Sequence, residues 1–154
     1  MNFLADDGSP LALPLTFPQT SSSTTASSVT QNIAPGASLW VQTASAGAPL
    51  SGSAQLSTNG SVSAFAILRY NPTGQEAAVP LETRSAGAYV LAFDNTGGTA
   101  TGVSLNAFPS NQVSPNAISS QSALIPVVIR DETGKRIGTA TIPLDPNGHT
   151  SFVL

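Results

Sequence analysis

The sequence predicts an all-β fold, an antiparallel β-sandwich of Ig-like type that is built from two related half-modules. Apolar residues alternate or run in short blocks, and Gly, Pro, Asn and Asp clusters interrupt them about every ten residues. Only 8% of the 154 residues are charged, so Ser, Thr and Asn occupy many of the polar positions. No stretch has the apolar spacing of a long amphipathic helix. One sequence motif occurs twice, and this repeat predicts that the fold consists of two related half-modules.

The two copies of the motif lie at opposite ends of the chain. Gly8 of the first copy aligns with Gly134 of the second, and Trp40 aligns with Phe152. The first copy carries a Ser/Thr-rich insertion at residues 18–28 that the second copy lacks. The aligned pieces are residues 2–17 and 29–41 in the first copy and residues 128–142 and 144–153 in the second.

The repeat predicts a first β module at residues 1–84, with its loop at 18–28, and a second at 85–154, which can also pack as one unit. Each copy has candidate partner strands on only one side. Three interpretations remain open: the chain is a piece of a longer tandem array, the halves complete each other within one chain, or a neighbouring chain fills the open edges. An unfilled sheet edge readily pairs with another chain.

The predicted strands of the first module follow its apolar runs. Asn59-Gly60 lies between two such runs and is predicted to close a hairpin, since both residues tolerate positive φ. The hydroxyl-rich tract at 20–28 is predicted to be a flexible loop. The strands are placed at residues 2–5, 11–17, 29–33, 37–43, 53–56, 61–70 and 77–81.

The second module has the same organisation. Turns are predicted at the Asp-Asn segment 94–98 and at the Glu-Thr-Gly segment 132–134. The tract 109–122 is predicted to be irregular. The strands are placed at residues 88–93, 100–107, 124–130, 136–142 and 150–154.

Composition excludes several functional classes. Eight acidic and five basic residues give a net charge of −3 and no basic patch, so nucleic-acid binding is not expected. The absence of cysteine excludes disulfides and thiolate chemistry. No apolar run reaches the roughly 18 residues of a membrane span. The hydroxyl-rich, lysine-poor composition favours an extracellular or cell-surface location, with a secretion signal that was removed or lies upstream.

Most of the chain resembles the tandem β-sandwich modules of uncharacterised secreted or surface proteins of soil bacteria. The resemblance rests on FAILRYNPTGQEAAVPLETR, YVLAFDNTGG, TGVSL, IRDETGKRIGT and IPLDPNGHTSFVL. Its most specific parts are residues 75–76, 79–82 and 148–152. It implies a sandwich architecture and an exported location. The family has no assigned activity, so the resemblance implies no site residues.

Two sets of residues invite a catalytic interpretation. Glu76 and Glu82 resemble the carboxylate pair of a glycoside hydrolase, but salt bridges to Arg69 or Arg84 explain them better. His149 is the only histidine, and a Ser–His–acid triad or a zinc site would have to be built around it. In the first copy of the motif, Ala37 occupies the position equivalent to His149, and Ser38 follows it. Because the other copy has alanine there, His149 is predicted to be a surface or turn residue.

Acidic and aromatic residues suggest two kinds of binding site. Asp6, Asp7, Asp94 and Asn95, and also Asp131, Glu132 and Asp145, could supply oxygen ligands to calcium. Their spacing matches no known calcium loop, so they are predicted to be hairpin residues, with calcium at a module junction left open.

Trp40, Tyr70 and Tyr89 could form a carbohydrate platform but are predicted to be core residues. Asn59-Gly60-Ser61 matches the N-glycosylation pattern, although a hairpin turn is sufficient to explain it.

The sequence therefore predicts a non-catalytic extracellular structural or adhesive protein, without cofactor or metal. It is expected to assemble head to tail into a fibre by edge-strand pairing with copies of itself or with neighbouring modules. The alternative is a carbohydrate-binding module of an exported enzyme, with a polysaccharide as its partner. The predicted interface residues are Asn2, Phe3, Leu4, Leu11, Leu13, Leu15, Phe152, Val153 and Leu154.

Overall fold

The regular secondary structure of the described chain consists of β-strands only. The computed structural model describes residues 1–43, 50–72, 74–83, 87–107 and 122–154. These ranges contain eleven strands and no helix, which confirms the all-β prediction. The strands are β1 (Asn2–Ala5), β2 (Leu13–Phe17), β3 (Ser22–Ala26), β4 (Gln42–Thr43), β5 (Gly52–Gln55), β6 (Phe65–Tyr70), β7 (Gln75–Pro80), β8 (Gly102–Asn106), β9 (Ala123–Arg130), β10 (Arg136–Leu144) and β11 (His149–Val153).

The strands form small antiparallel sheets. The largest of these in the described ranges has three strands in the order β3-β2-β4. The others are the two-stranded pairs β1–β5, β6–β7, β8–β11 and β9–β10. No helix in the described residues is long and apolar enough to cross a membrane.

The core lies under the N-terminal strands. Phe3 on β1, Leu15 on β2 and Val29 are buried and form one cluster. On β2, Leu13, Leu15 and Phe17 occupy alternate positions and therefore lie on the same face of the strand. The partly buried residues packed against the cluster are Met1, Leu11, Leu13, Phe17, Ala26 and Val41.

The N-terminal half differs from the prediction at four places. The hydroxyl-rich tract forms strand β3, which pairs along the whole of β2. Residues 29–33 form no strand, and the strand predicted at 37–43 is reduced to β4. Asn59-Gly60 closes no hairpin, because β5 pairs with β1 and β6 pairs with β7.

The C-terminal half follows the prediction more closely. β9 and β10 form a long hairpin across the turn at Gly134, whose φ of 82° only glycine adopts without strain. β8 pairs with β11, as expected for a strand that joins the second copy of the motif. Residues 88–93 form no strand. The tract predicted to be irregular lies outside the described residues, except for Ser122.

Candidate functional site

The two segments that the sequence comparison aligns meet where the turn after β1 contacts the turn between β10 and β11. In the first turn, Gly8 N donates to Ala5 O at 2.9 Å. In the second, Gly148 N donates to Asp145 O at 2.8 Å. His149 N then donates to Asp6 O at 3.0 Å and joins the two turns. We call this contact, formed by residues 5–9 and 145–149, the turn junction.

Two glycines allow the turns to approach each other. A Cβ atom on Gly8 would collide with the Pro146 carbonyl oxygen, and φ at Gly8 is 81°. A Cβ atom on Gly148 would lie 2.9 Å from the carbonyl oxygens of both Asp145 and Asp6. Since these neighbours are backbone atoms, they cannot move aside as a flexible side chain could. The close approach therefore depends on glycine at both positions.

The turn junction places the His149 ring between a carboxylate and a hydroxyl group. His149 Nδ1 lies 2.8 Å from Asp6 Oδ1, and His149 Nε2 lies 3.0 Å from Ser104 Oγ. The His149 side chain is 9% exposed, whereas that of Asp6 is 54% exposed. An ionised carboxylate only accepts hydrogen bonds, so Nδ1 carries the proton that faces Asp6. In the neutral ring, Nε2 is then the acceptor for the Ser104 hydroxyl.

Strand pairing brings Ser104 to His149. In the β8–β11 ladder, Ser104 is opposite Ser151, and Asn106 is opposite His149. Residues directly opposite each other lie on one face of a sheet, and so do residues two positions apart. Ser104, Asn106, His149 and Ser151 therefore share one face, on which Ser104 is a diagonal neighbour of His149. Ser104 is exposed to solvent.

Asp6 is held in its ionised form by its hydrogen bonds. The hydrogen bond from the His149 ring is the largest cause and lowers the pKa of the Asp6 carboxyl below its ordinary value. The Ser51 hydroxyl, which donates to Asp6 Oδ1 at 3.1 Å, acts in the same direction. An acceptor that remains ionised holds the ring in one orientation.

Of the two glutamates considered as a carboxylate pair, Glu76 forms an ion pair. Glu76 Oε1 lies 3.5 Å from Arg69 Nη1 across the β6–β7 hairpin, which confirms the predicted salt bridge for this glutamate. Glu82 follows the end of β7, and its second candidate partner, Arg84, lies outside the described residues. The structure thus places Glu76 in an ion pair on the surface of the hairpin.

Asp94 and Asp131 form equivalent turns in the sequence Asp-x-Thr-Gly. Asp94 Oδ1 accepts hydrogen bonds from Thr96 N at 2.9 Å and Oγ1 at 2.7 Å, and Asp131 Oδ1 accepts the same pair from Thr133 at 3.0 and 2.6 Å. These hydroxyl groups lower the pKa of both carboxyls. The prediction of a hairpin residue is confirmed for Asp131, between β9 and β10, whereas Asp94 lies in a turn but in no hairpin, because residues 88–93 form no strand. In the part of the chain that the structure describes, no group of three or more acidic or histidine residues could hold a metal ion.

The core prediction for the aromatic residues is wrong. Trp40 is 59% exposed, and Tyr70 and Tyr89 are also more than half exposed. The residue aligned with Trp40, Phe152, lies on β11 and is half-buried. Trp40 instead lies outside any strand, where its backbone N–H donates to the Gln19 side chain at 2.8 Å. The alignment therefore does not correspond to equivalent positions in a core.

The predicted interface residues have different environments. Phe3 and Leu15 are core residues, and Leu11 and Leu13 pack against that core. Leu4, Phe152 and Leu154 are half-buried. Asn2 and Val153 are exposed. Only part of this set is therefore free to contact another chain without rearrangement of β1 and β2.

Comparison of the chain with protein-family models, curated proteins and solved structures finds no match. The arrangement of Ser104, His149 and Asp6 thus has to be interpreted from its own geometry. The prediction that His149 is a surface or turn residue is wrong, since His149 begins β11 and its side chain is 9% exposed. The sequence does contain one signal for this contact. Asp6-Asp7-Gly8 is a turn sequence directly after a predicted strand, and Asn147-Gly148 is a turn sequence just before one.

Proposed function

We propose that the protein is an extracellular structural or adhesive protein that assembles head to tail with copies of itself. The observation that carries this proposal is the β6–β7 hairpin, in which every described residue of both strands is exposed. Phe65, Ile67 and Leu68 are 72%, 63% and 60% exposed. Contiguous exposed apolar surface of this kind is typical of interaction sites.

Both faces of this hairpin are apolar. One face carries Phe65 opposite Pro80 and Ile67 opposite Ala78. The other face carries Leu68 opposite Ala77, beside Ala66 and Val79. Strands that are apolar on both faces are characteristic of sheets that are covered on both sides. An isolated two-stranded hairpin is at best marginally stable in water. The β6–β7 hairpin is therefore suited to burial between neighbouring chains.

A second copy of the chain fits this surface better than a charged partner does. The Arg69–Glu76 ion pair joins the only charged residues of the hairpin, so the hairpin carries no net charge. The outer face of β9–β10 offers a second exposed apolar surface, with Leu124, Val128 and Ile137. In a head-to-tail assembly, the β6–β7 hairpin of one chain contacts the β9–β10 surface of the next. Such a contact between two different surfaces is heterologous, and it produces an open filament unless the chains close into a ring. In this proposal, the neighbouring strands complete the Ig-like sandwich.

Replacing Leu68 by Asp is expected to weaken assembly at least about tenfold, because it places a charge in the apolar contact. Sedimentation velocity over a range of protein concentrations would measure the change. The wild-type protein should show species heavier than the 15.5 kDa chain, whose share rises with concentration. Val90→Asp is the matched control, since Val90 is fully exposed and lies outside any strand. Wild-type protein that remains monomeric at every concentration would exclude the proposal.

The exposure of Trp40 favours one further candidate function, a carbohydrate-binding module. The ring of an exposed tryptophan offers a flat apolar surface, and its N–H group can donate a hydrogen bond. Trp40 is the only tryptophan of the chain, so tryptophan fluorescence reports on this position alone. A polysaccharide bound there should shift the tryptophan fluorescence in a saturable manner, and Trp40→Ala should abolish binding. Tyr89→Ala serves as a control for general loss of aromatic surface. An unchanged spectrum across a panel of plant and bacterial polysaccharides would rule out this candidate.

A further inference from the structure

Ser104, His149 and Asp6 form a hydrogen-bonded chain, and none of them belongs to the β6–β7 hairpin. We propose that these residues constitute an acyl-transfer site for unhindered carboxylic esters, in which Ser104 is the nucleophile, His149 the general base and Asp6 the positioning residue. This activity goes beyond the structural function and departs from the expectation of a non-catalytic protein. It rests on different residues from those of the β6–β7 hairpin.

The distances fit the roles of a nucleophile and its base. Activation of a serine requires a base within about 2.6–3.2 Å of its hydroxyl oxygen, and a third group that orients the base. The Ser104 Oγ to His149 Nε2 distance is 3.0 Å, and the His149 Nδ1 to Asp6 Oδ1 distance is 2.8 Å. Because Asp6 binds the protonated Nδ1, the lone pair of Nε2 faces the hydroxyl group. This is the order of roles found in Ser–His–Asp triads on unrelated folds.

The ring that serves as base is held firmly. Its side chain is 9% exposed, and its own backbone N–H is bound to Asp6 O at 3.0 Å. Asp6 is thus attached to His149 through both its backbone and its side chain. Ser51 occupies a further acceptor position of the Asp6 carboxylate at 3.1 Å. A base whose orientation is fixed before substrate binds loses little entropy in the reaction.

Ser104 is accessible to a substrate. It lies on the exposed face of the antiparallel β8–β11 pair, with Ser151 directly opposite. The Ser151 hydroxyl lies on the same face as Ser104 and is the hydrogen-bond donor that we assign to the oxyanion of an attacked carbonyl. The open face sets little steric limit on the alcohol part of the ester. We therefore assign small acyl groups, such as acetyl, on accessible hydroxyl groups as the substrate class.

The reaction is a balanced ester hydrolysis. The Ser104 oxygen attacks the carbonyl carbon while its proton moves to His149 Nε2, and the ester bond then breaks as the imidazolium returns the proton to the departing alcohol. Water next attacks the acyl-Ser104 carbon and gives a proton to His149. Release of the acid returns that proton to Ser104 Oγ. The products are one alcohol and one carboxylic acid.

Labelling of the intact protein with a fluorophosphonate probe tests the nucleophile. We expect one label per chain, located on Ser104 by peptide mass spectrometry, and no label in Ser104→Ala. Ser63→Ala, which removes another exposed hydroxyl group, should be labelled at the wild-type rate. A labelling rate equal to that of the urea-unfolded protein would overturn the proposal, because it would show that the folded site does not activate Ser104.

Hydrolysis of 4-nitrophenyl acetate tests turnover and the role of Asp6. The wild-type protein should release a burst of 4-nitrophenol equal to the protein concentration, which an imidazole acting alone would not produce. Ser104→Ala should lower kcat/KM at least 100-fold with an unchanged unfolding midpoint and unchanged sedimentation. Asp6→Asn should lower kcat at least tenfold and leave KM unchanged. A wild-type protein without a burst, or an Asp6→Asn variant with wild-type kcat, would contradict the assigned roles.

Discussion

Leu15→Ala is expected to destabilise the protein by about 2–5 kcal/mol, the usual range for truncation of a buried leucine. Leu15 is 1% exposed and lies on the central strand of the three-stranded sheet, between Thr24 of β3 and Thr43 of β4. Its side chain belongs to the cluster with Phe3 and Val29. Leu13 and Phe17 are among the partly buried side chains that pack against this cluster, so the truncation removes apolar contacts there.

Urea unfolding of the two variants Leu15→Ala and Leu124→Ala measures this effect. Leu124 is 71% exposed, and the same truncation there should change the free energy of unfolding by no more than about 0.5 kcal/mol. Leu15→Met, which conserves volume, should cost less than about 1.5 kcal/mol. Equal losses in Leu15→Ala and Leu124→Ala would show that the N-terminal cluster is not the core of the protein.

Gly8→Ala is expected to cost about 2–5 kcal/mol and to open the turn junction. One part of the cost is the positive φ of 81°, which penalises a residue with a Cβ atom. The other part is the collision of the new methyl group with the Pro146 carbonyl oxygen. Overpacking of this kind typically adds about 1–3 kcal/mol. Displacement of either turn would also separate Asp6 from His149.

Gly134→Ala is the matched control for this variant. Gly134 has nearly the same φ, 82°, but open space around the position of a Cβ atom. The difference in unfolding free energy between the two variants therefore isolates the contact between the turns. The NMR signal of the proton on His149 Nδ1 should be lost or shifted in Gly8→Ala and retained in Gly134→Ala. If both variants lose the same stability and keep the signal, the turns do not touch in solution.

The local part of the fold could be predicted from the sequence. β1 has the predicted bounds, and β9 and β10 lie where apolar residues alternate around the turn at Gly134. The failures have a common cause, since pairing is decided by distant partners. β3 consists of Ser and Thr with one Ala, and it becomes a strand because it lies beside β2. Asn59-Gly60 has the composition of a hairpin turn, but the preceding strand pairs with β1 instead.

The candidate site was beyond sequence reasoning for a similar reason. Ser104 is 45 residues from His149 in the chain, and Asp6 is 143 residues away, so no motif of fixed spacing contains them. Comparison of the two copies is misleading here, because Ala37 at the equivalent position predicts a surface or turn residue rather than a buried ring at His149. The Gly36 position of the first copy is open, whereas Gly148 is packed against Asp6. The two turns are alike in sequence but have different neighbours.

The 143-residue separation between Asp6 and His149 also determines when the turn junction can form. Closing a loop of that length costs about 3 kcal/mol more in chain entropy than closing a five-residue hairpin. Local hairpins such as β9–β10 form within microseconds, whereas distant contacts form late in folding. On a ribosome, His149 emerges later than the β6–β7 hairpin, because it follows that hairpin in the chain. The β6–β7 hairpin is thus available to neighbouring chains before the turn junction, and with it the Ser104 site, is assembled.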